Sequence, residues 1–347
     1  MRPDAREWEQ PGAFEQAPGV FRIPLPLPDD GLRAVNVYAV QDADRLVLVD
    51  GGWAIPAARA ALDAGLRALG CTPADIARFL VTHMHRDHYS QALAIRREFG
   101  TRVALGGGEL PSLREIHRPG AAPGQAQAAQ LRRYGAHALA AGMLSRRLGE
   151  PVEAADWTDP DEWLEPSSDV GLQDRTLSAI ATPGHTAGHV VFADLAGGLL
   201  FAGDHVLPHI TPSIGFEPAP AELPLRDYLT SLATVRAMPD LRLLPAHGPV
   251  VASTHHRIDE LLQHHEDRLT AIRQAVGTQV RTPLQVAELI SWTRRGRTFA
   301  SLDEFNQMLA VGETAAHLDL LVVRSQLTLT EPDGVRNYGP PDAAAPR

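Results

Sequence analysis

Between Thr82 and His88 the chain reads Thr82-His83-Met84-His85-Arg86-Asp87-His88, with four residues of metal-binding type in close succession. The residues before it, Arg78 to Thr82, read as a strand, and a helix from about Gln91 to Phe99 follows. Alternation at a strand end sends His83 and His85 to the same side, so both imidazoles can face one ion. Asp87 and His88 fall in the turn beyond and can aim at a second point close by. A lone histidine says little about function, but a run this dense reads as a metal site.

A mononuclear catalytic site needs three protein ligands and an open position, and this chain offers more. His185 in Thr182-Pro183-Gly184-His185-Thr186, Asp204 in Ala202-Gly203-Asp204-His205 and His247 in Pro245-Ala246-His247-Gly248 each stand at or just after the end of an expected strand. Loops at strand ends of an α/β protein converge on one crevice, which is where such residues build sites.

The hydrophobic pattern supports an α/β frame. Strands are expected over Val20 to Leu25, Asn36 to Val40, Arg45 to Asp50, Arg102 to Leu105, Arg175 to Ala181, His189 to Asp194, Leu199 to Ala202 and Leu241 to Leu244, with a helix over Pro56 to Leu69. The stretch from about 107 to 168 breaks the rhythm and reads as an insertion, partly helical, whose Trp157 and Trp163 either close over a substrate or pack for the insertion's own stability. Residues 1–252 are thus expected to form the main domain. From 253 to 338 a long amphipathic helix, two capping boxes at Thr282-Pro283-Leu284-Gln285 and Ser301-Leu302-Asp303-Glu304, and a terminal hairpin indicate a small, mostly helical, winged-helix-like module. The Ala/Pro-rich tail, 339–347, is expected to be disordered.

Charge narrows the partners. The 347 residues carry a formal net charge of −10, which disfavours nucleic acid, since affinity for phosphates comes largely from Lys and Arg. The C-terminal module does not offset this, with six Arg against seven acidic residues between Arg281 and Arg336. Packing or homodimerisation suits it better than DNA reading. No apolar run resembles a signal peptide or reaches the roughly 18 residues of a membrane span, so a cytoplasmic protein with no membrane partner is expected. The single cysteine, Cys71, excludes an intrachain disulfide and a cysteine-based metal cluster and is read as structural.

The ordered set of motifs, His-x-His-x-Asp-His at 83–88, Pro-Gly-His-Thr-x-Gly-His at 183–189, Gly203-Asp204 and Ala246-His247-Gly248, resembles the metallo-β-lactamase superfamily over residues from about Val20 to Ser253. The resemblance implies an αββα sandwich. It further implies one metal on His83, His85 and His185, another on Asp87, His88 and His247, and Asp204 bridging both. Zinc is the default for such a donor set, with iron or manganese compatible. Asp50, in Leu48-Val49-Asp50-Gly51-Gly52, matches a residue that buttresses a ligand from behind. Two such ions share a water and lower its pKa toward neutrality, and Asp87 or Asp204 then takes part in proton transfer.

Within that family, the bridging aspartate resembles the thioesterase, lactonase and nuclease branches, and the expected reaction is glyoxalase II-like hydrolysis of a small acyl thioester, ester or lactone. The alternatives are a ribonuclease or phosphodiesterase of the lactamase-beta-2-like group, a sulfur dioxygenase, and a metal-stabilised binding protein without activity. Among the remaining histidines, His189 is expected near the site, His205 and His209 at the substrate mouth, and His255, His256, His264 and His265 on the solvated face of the long helix.

Overall fold

The computed structural model describes residues 7–28, 31–120, 124–146, 157–292 and 296–341. Two sheets face each other. The first runs in sequence order through β1 (Phe14–Ala17), β2 (Val20–Pro26), β3 (Ala34–Asp42), β4 (Arg45–Val49), β5 (Ile76–Val81), β6 (Arg102–Gly106) and β7 (Glu162–Leu164). Its first four strands form an antiparallel meander, and β4 to β7 are parallel. The second contains β8 (Ser168–Gly171), β9 (Thr176–Ala181), β10 (Val190–Asp194), β11 (Leu199–Gly203) and β12 (Arg242–Pro245), antiparallel except for the β11/β12 pair.

The two-residue period of the strands sorts side chains into layers. Val37, Ala39, Leu46 and Leu48 face outward and pack with Leu62 and Leu66 of α1 (Pro56–Ala68) and Ala92, Leu93 and Ile95 of α2 (Arg86–Phe99). Their neighbours Tyr38, Val40, Val47 and Val49 face inward onto Leu177, Phe192 and Phe201 of the second sheet. The outer face of that sheet, with Val191, Ala193, Leu200 and Ala202, is covered by Leu225, Tyr228 and Leu232 of α6 (Pro224–Arg236). The order helix, sheet, sheet, helix is the expected αββα sandwich.

Residues 107–168 are not wholly an insertion. Their described part holds α3 (Leu110–Ile116), α4 (Gln125–Arg133) and α5 (His137–Arg146), but β7 then pairs with β6 and completes the first sheet. Trp157 is buried and Trp163 partly buried in the outer core of that sheet, so packing, not closure over a substrate, accounts for both. Residues 121–123 and 147–156 lie outside the described residues.

Beyond Ser253 come α7 (Thr254–Val276), α8 (Pro283–Leu289), α9 (Glu304–Val323) and an antiparallel pair, β13 (Thr328–Thr330) and β14 (Asn337–Gly339). Leu261 and Leu269 of α7 and Val311 and Leu318 of α9 belong to the same apolar cluster as the outer face of the second sheet. At α8 the capping box forms, Thr282 and Gln285 each accepting from the other's backbone N–H. At α9 the cap is Asp303, whose Oδ1 accepts from Asn306 N at 2.9 Å, and not Ser301, whose hydroxyl is donated to Thr298 O. Asp303 is two residues nearer the apolar stripe and caps as well as serine does. Gly339, at the start of the expected tail, closes β14; residues 342–347 lie outside the described residues, as do Met1 to Arg6.

Candidate metal centre

The strands that carry the motif residues end on one side of the sandwich. β4 and β5 are parallel and end at Val49 and Val81, while β9, β11 and β12 run together in the other sheet and end at Ala181, Gly203 and Pro245. Asp50, Thr82 to His88, Thr182 to His189, Asp204 and His247 therefore start from five neighbouring strand ends. Helix α2 begins at Arg86, earlier than the apolar spacing predicts, with His85 as its N-cap. Asp87 and His88 thus stand in its first turn instead of a preceding loop. That turn is polar because it is given to the site, and its free N–H groups favour an aspartate there.

Three ring nitrogens meet at one point. His83 Nε2 lies 2.9 Å from His85 Nδ1 and 3.2 Å from His185 Nε2, and the last two are 3.0 Å apart. Beside them Asp87, His88 and His247 form a second group, in which His247 Nε2 is 3.4 Å from Asp87 Oδ2. Asp204 spans the two: Oδ2 is 3.5 Å from His185 Nε2, while Oδ1 is 3.3 Å from His247 Nε2 and 3.7 Å from His88 Nε2.

The nitrogens that face away fix the tautomers. Asp50 Oδ2 accepts from His88 Nδ1 at 2.9 Å, Ser213 O from His185 Nδ1 at 2.6 Å, and Ala34 O from His247 Nδ1 at 2.8 Å. Thr82 donates its single hydroxyl proton to Asp50, so His83 Nδ1 is the donor in its 3.1 Å bond to Thr82 Oγ1. Phe216 O takes a longer bond, 3.4 Å, from His85 Nε2. Each outward nitrogen donates a proton, so the inward one is the atom able to present a lone pair to an ion.

This arrangement fits cations. Three lone pairs about 3 Å apart with no donor between them repel, whereas an ion with nitrogen ligands at about 2.0–2.1 Å in tetrahedral geometry separates them by about 3.3 Å. His88 Nε2, His247 Nε2 and Asp204 Oδ1 are buried without a hydrogen-bond partner, which is costly unless something positive lies between them.

The family described as the Metallo-beta-lactamase superfamily matches residues 30–247. The chain belongs to that superfamily. Among curated proteins it is 25% identical to a beta-lactamase-like protein 2 homolog of Caenorhabditis elegans, over 84% of this chain and 76% of that one. It is 24% identical to the probable metallo-hydrolase YqjP of Bacillus subtilis, over 89% and 93%. Of solved structures, a metallo-beta-lactamase family protein from Thermus thermophilus superposes with a TM-score of 0.77 at 27% identity, covering 94% of this chain and all of that one. A beta-lactamase domain protein from Burkholderia ambifaria gives the same TM-score and identity, covering 94% and 93%. Metallo-β-lactamase membership makes this a metal-dependent hydrolase with a His/Asp cluster fit to hold metal.

The other singled-out residues sort differently. Asp50, held at φ 63°, braces the site as expected: besides His88 it accepts from Thr82 N at 2.8 Å. His189 stacks on His83, donates to Thr182 and accepts the Asp204 N–H at 3.1 Å, so it orients the loop that carries Asp204. His209 is exposed beside Gly248. His205 is not at the mouth, because its fully buried ring lies between His189 and Tyr228. His256 and His264 are exposed and His255 is half-buried, but His265 is buried and bonds His317 at 3.1 Å, since it falls on the apolar stripe of α7.

Burial sets the protonation of the metal-free site. It drives the pKa of His85, His205 and His317 down to about 3, with neighbouring cationic groups contributing. For His88 burial works the other way from the net result: Asp50, Asp87 and Asp204 outweigh it and push the imidazole up to about 10. An unfolded imidazole titrates near 6.5. Below that pH the unfolded chain takes up protons the folded histidines refuse, so stability falls as pH drops toward about 3. Between about 6.5 and 10 the folded chain holds the His88 proton that the unfolded chain has released, so that contribution is lost as pH rises. Urea unfolding of chelator-treated protein is expected to give a maximum near neutrality with losses on both sides; stability climbing steadily from pH 7 to 10 would contradict it.

Proposed function

We propose that this enzyme hydrolyses a small acyl thioester, ester or lactone with two divalent cations, zinc before iron or manganese. In this reading His83, His85 and His185 hold one ion, Asp87, His88 and His247 hold the other, and Asp204 reaches both. The observation that carries it is the set of inward lone pairs with both oxygens of Asp204 between the two groups. Ions held there supply a water made acidic near neutral pH and polarisation of a carbonyl oxygen.

The protein's own groups do the rest. His88 and His247 outweigh burial to keep Asp87 ionised well below the usual carboxylate range. Its side chain is 16% exposed, against 10% for Asp204, so Asp87 is the carboxylate nearer the open side, placed to accept a hydrogen bond there and orient a proton on its way to a leaving group. Beside His85, Phe216 meets Phe305 of α9 edge-on, with ring centroids 5.7 Å apart, and Phe305 is 47% exposed. That apolar wall suits an acyl group. Among the described residues no helix is long and apolar enough to cross a membrane. The charge of −10 supports action on a small molecule and not on nucleic acid, and in this reading the enzyme is cytoplasmic.

The test is a panel of acyl thioesters, lactones, phosphodiesters and RNA, run on protein of known metal content. An acyl substrate is expected to reach kcat/KM of about 10⁴ M⁻¹s⁻¹ or more, with RNA untouched. Turnover of RNA alone would replace this reading with a nuclease.

A further inference from the structure

Behind the histidines lie two carboxyl groups that no charge on a described residue balances. Glu109 is fully buried and Glu217 is 1% exposed, and neither makes an ion pair with a described residue. Each grips the segments that aim the first histidine group. Glu109 Oε1 accepts from Thr186 Oγ1 at 2.6 Å, next to His185, and makes a long bond of 3.4 Å with Met84 N, between His83 and His85. Glu217 Oε1 accepts from Ala187 N and Oε2 from Ser112 Oγ, both at 2.8 Å, and Ser112 Oγ in turn accepts from Ala219 N. Glu217 thereby pins the strip whose Ser213 and Phe216 carbonyls orient His185 and His85.

The turn that carries Glu109 is seated backbone to backbone on the His185 loop. A Cβ on Gly188 would stand 2.1 Å from Glu109 N, and one on Gly108 would stand 2.5 Å from Ala187 O. Glu109 Oε2 is buried without a partner, which is expensive for a charged carboxylate.

From this we infer that Glu109 and Glu217 are positioning residues of the metal centre, two buried carboxyl groups whose hydrogen bonds to the neighbouring segments lock His83, His85 and His185 in register. Burial, and for Glu109 also the charge of Glu217, raises both carboxyls above their ordinary range, in keeping with a retained proton. Glutamine at position 109 keeps a carbonyl for Thr186 and offers an amide in place of the acid proton, so it should substitute for glutamate. Alanine should not.

The inference rests on the two-ion reading, and the experiment separates them. Co²⁺ affinity is measured by competition with a chelator, together with the visible spectrum of the bound ion, for the parent protein and for Glu109→Gln, Glu109→Ala, Glu217→Ala and Thr186→Val. The two alanine variants are expected to weaken binding about 10- to 100-fold, as removal of such supporting bonds does, and to alter the Co²⁺ spectrum. Glu109→Gln is expected to stay within about 3-fold of the parent with its spectrum, on the same scale. Thr186→Val, which removes one bond and leaves both carboxyls, keeps the test open if an alanine variant does not fold; it should fall between the two. Parent protein that binds no Co²⁺ defeats the two-ion reading itself. Normal parent binding defeats the present inference alone if Glu109→Ala and Thr186→Val match it, if Glu109→Gln is as weak as alanine, or if the glutamine variant loses a third metal equivalent held by the pair.

Discussion

Replacing Asp204 with alanine should lower kcat/KM by about 10³-fold or more, about 4 kcal/mol of transition-state stabilisation. Asp204 reaches both groups: its two oxygens lie 3.5 Å from His185 and 3.3 Å from His247. Alanine leaves the inward nitrogens without the intervening negative charge, so the loss should appear first as weakened metal binding and then in kcat. Asp204→Asn keeps the shape and one oxygen but not the charge, and is expected to fall between the two. Activity within about tenfold of the parent for both variants would mean that the bridging position is not where the chemistry happens.

A larger structural effect is expected from Gly184→Ala, which adds one methyl group next to His185. Gly184 has φ of +140°, and a Cβ there would lie 2.4 Å from the Cα and Cβ of Tyr228 and 2.6 Å from its N. The backbone strain costs about 1–3 kcal/mol, and overpacking against a helix that cannot retreat costs about as much again. A loss of about 4 kcal/mol in unfolding free energy is expected by urea denaturation. Pro183 O, one residue earlier, accepts from Ser231 of α6, so a shift of this loop also disturbs the helix that covers the second sheet. Unchanged stability would show that the Gly184 turn is looser than its contacts state.

How much of this was legible in the sequence follows from what kind of signal each part leaves. The seven ligand-type residues stood out because they are chemically unusual at strand ends, and the structure gathers all seven. The strands of both sheets were readable where apolar residues are dense, as in Val20–Pro26 and Val190–Asp194. Short or polar elements were not: β7 has three residues and β8 reads Ser-Asp-Val-Gly, and both are strands only because a neighbour supplies their hydrogen bonds. Helix α6 was missed although Pro224 stands at its first position, a recognisable start signal.

The support behind the ligands was only partly visible. Asp50 could be named from the family resemblance of its strand end, but Glu109 and Glu217 carry no motif, because what defines them is burial and contact between segments remote in sequence. The one local trace is Gly106-Gly107-Gly108 before Glu109, a run that signals close backbone approach. His265 misled for a related reason. Histidine suits both a solvated and a buried helix face, and only the stripe it shares with Leu261, Leu269 and Ile272 tells them apart.

The claim on which the rest depends is that seven side chains hold a pair of neighbouring cations. Elemental analysis of the purified protein, with each metal measured against chain concentration, addresses it directly. Two equivalents of transition metal per chain, lost with activity on chelation and restored with it, is the predicted result. A chain that remains fully active with no bound metal, or that never takes up more than one equivalent, would contradict it.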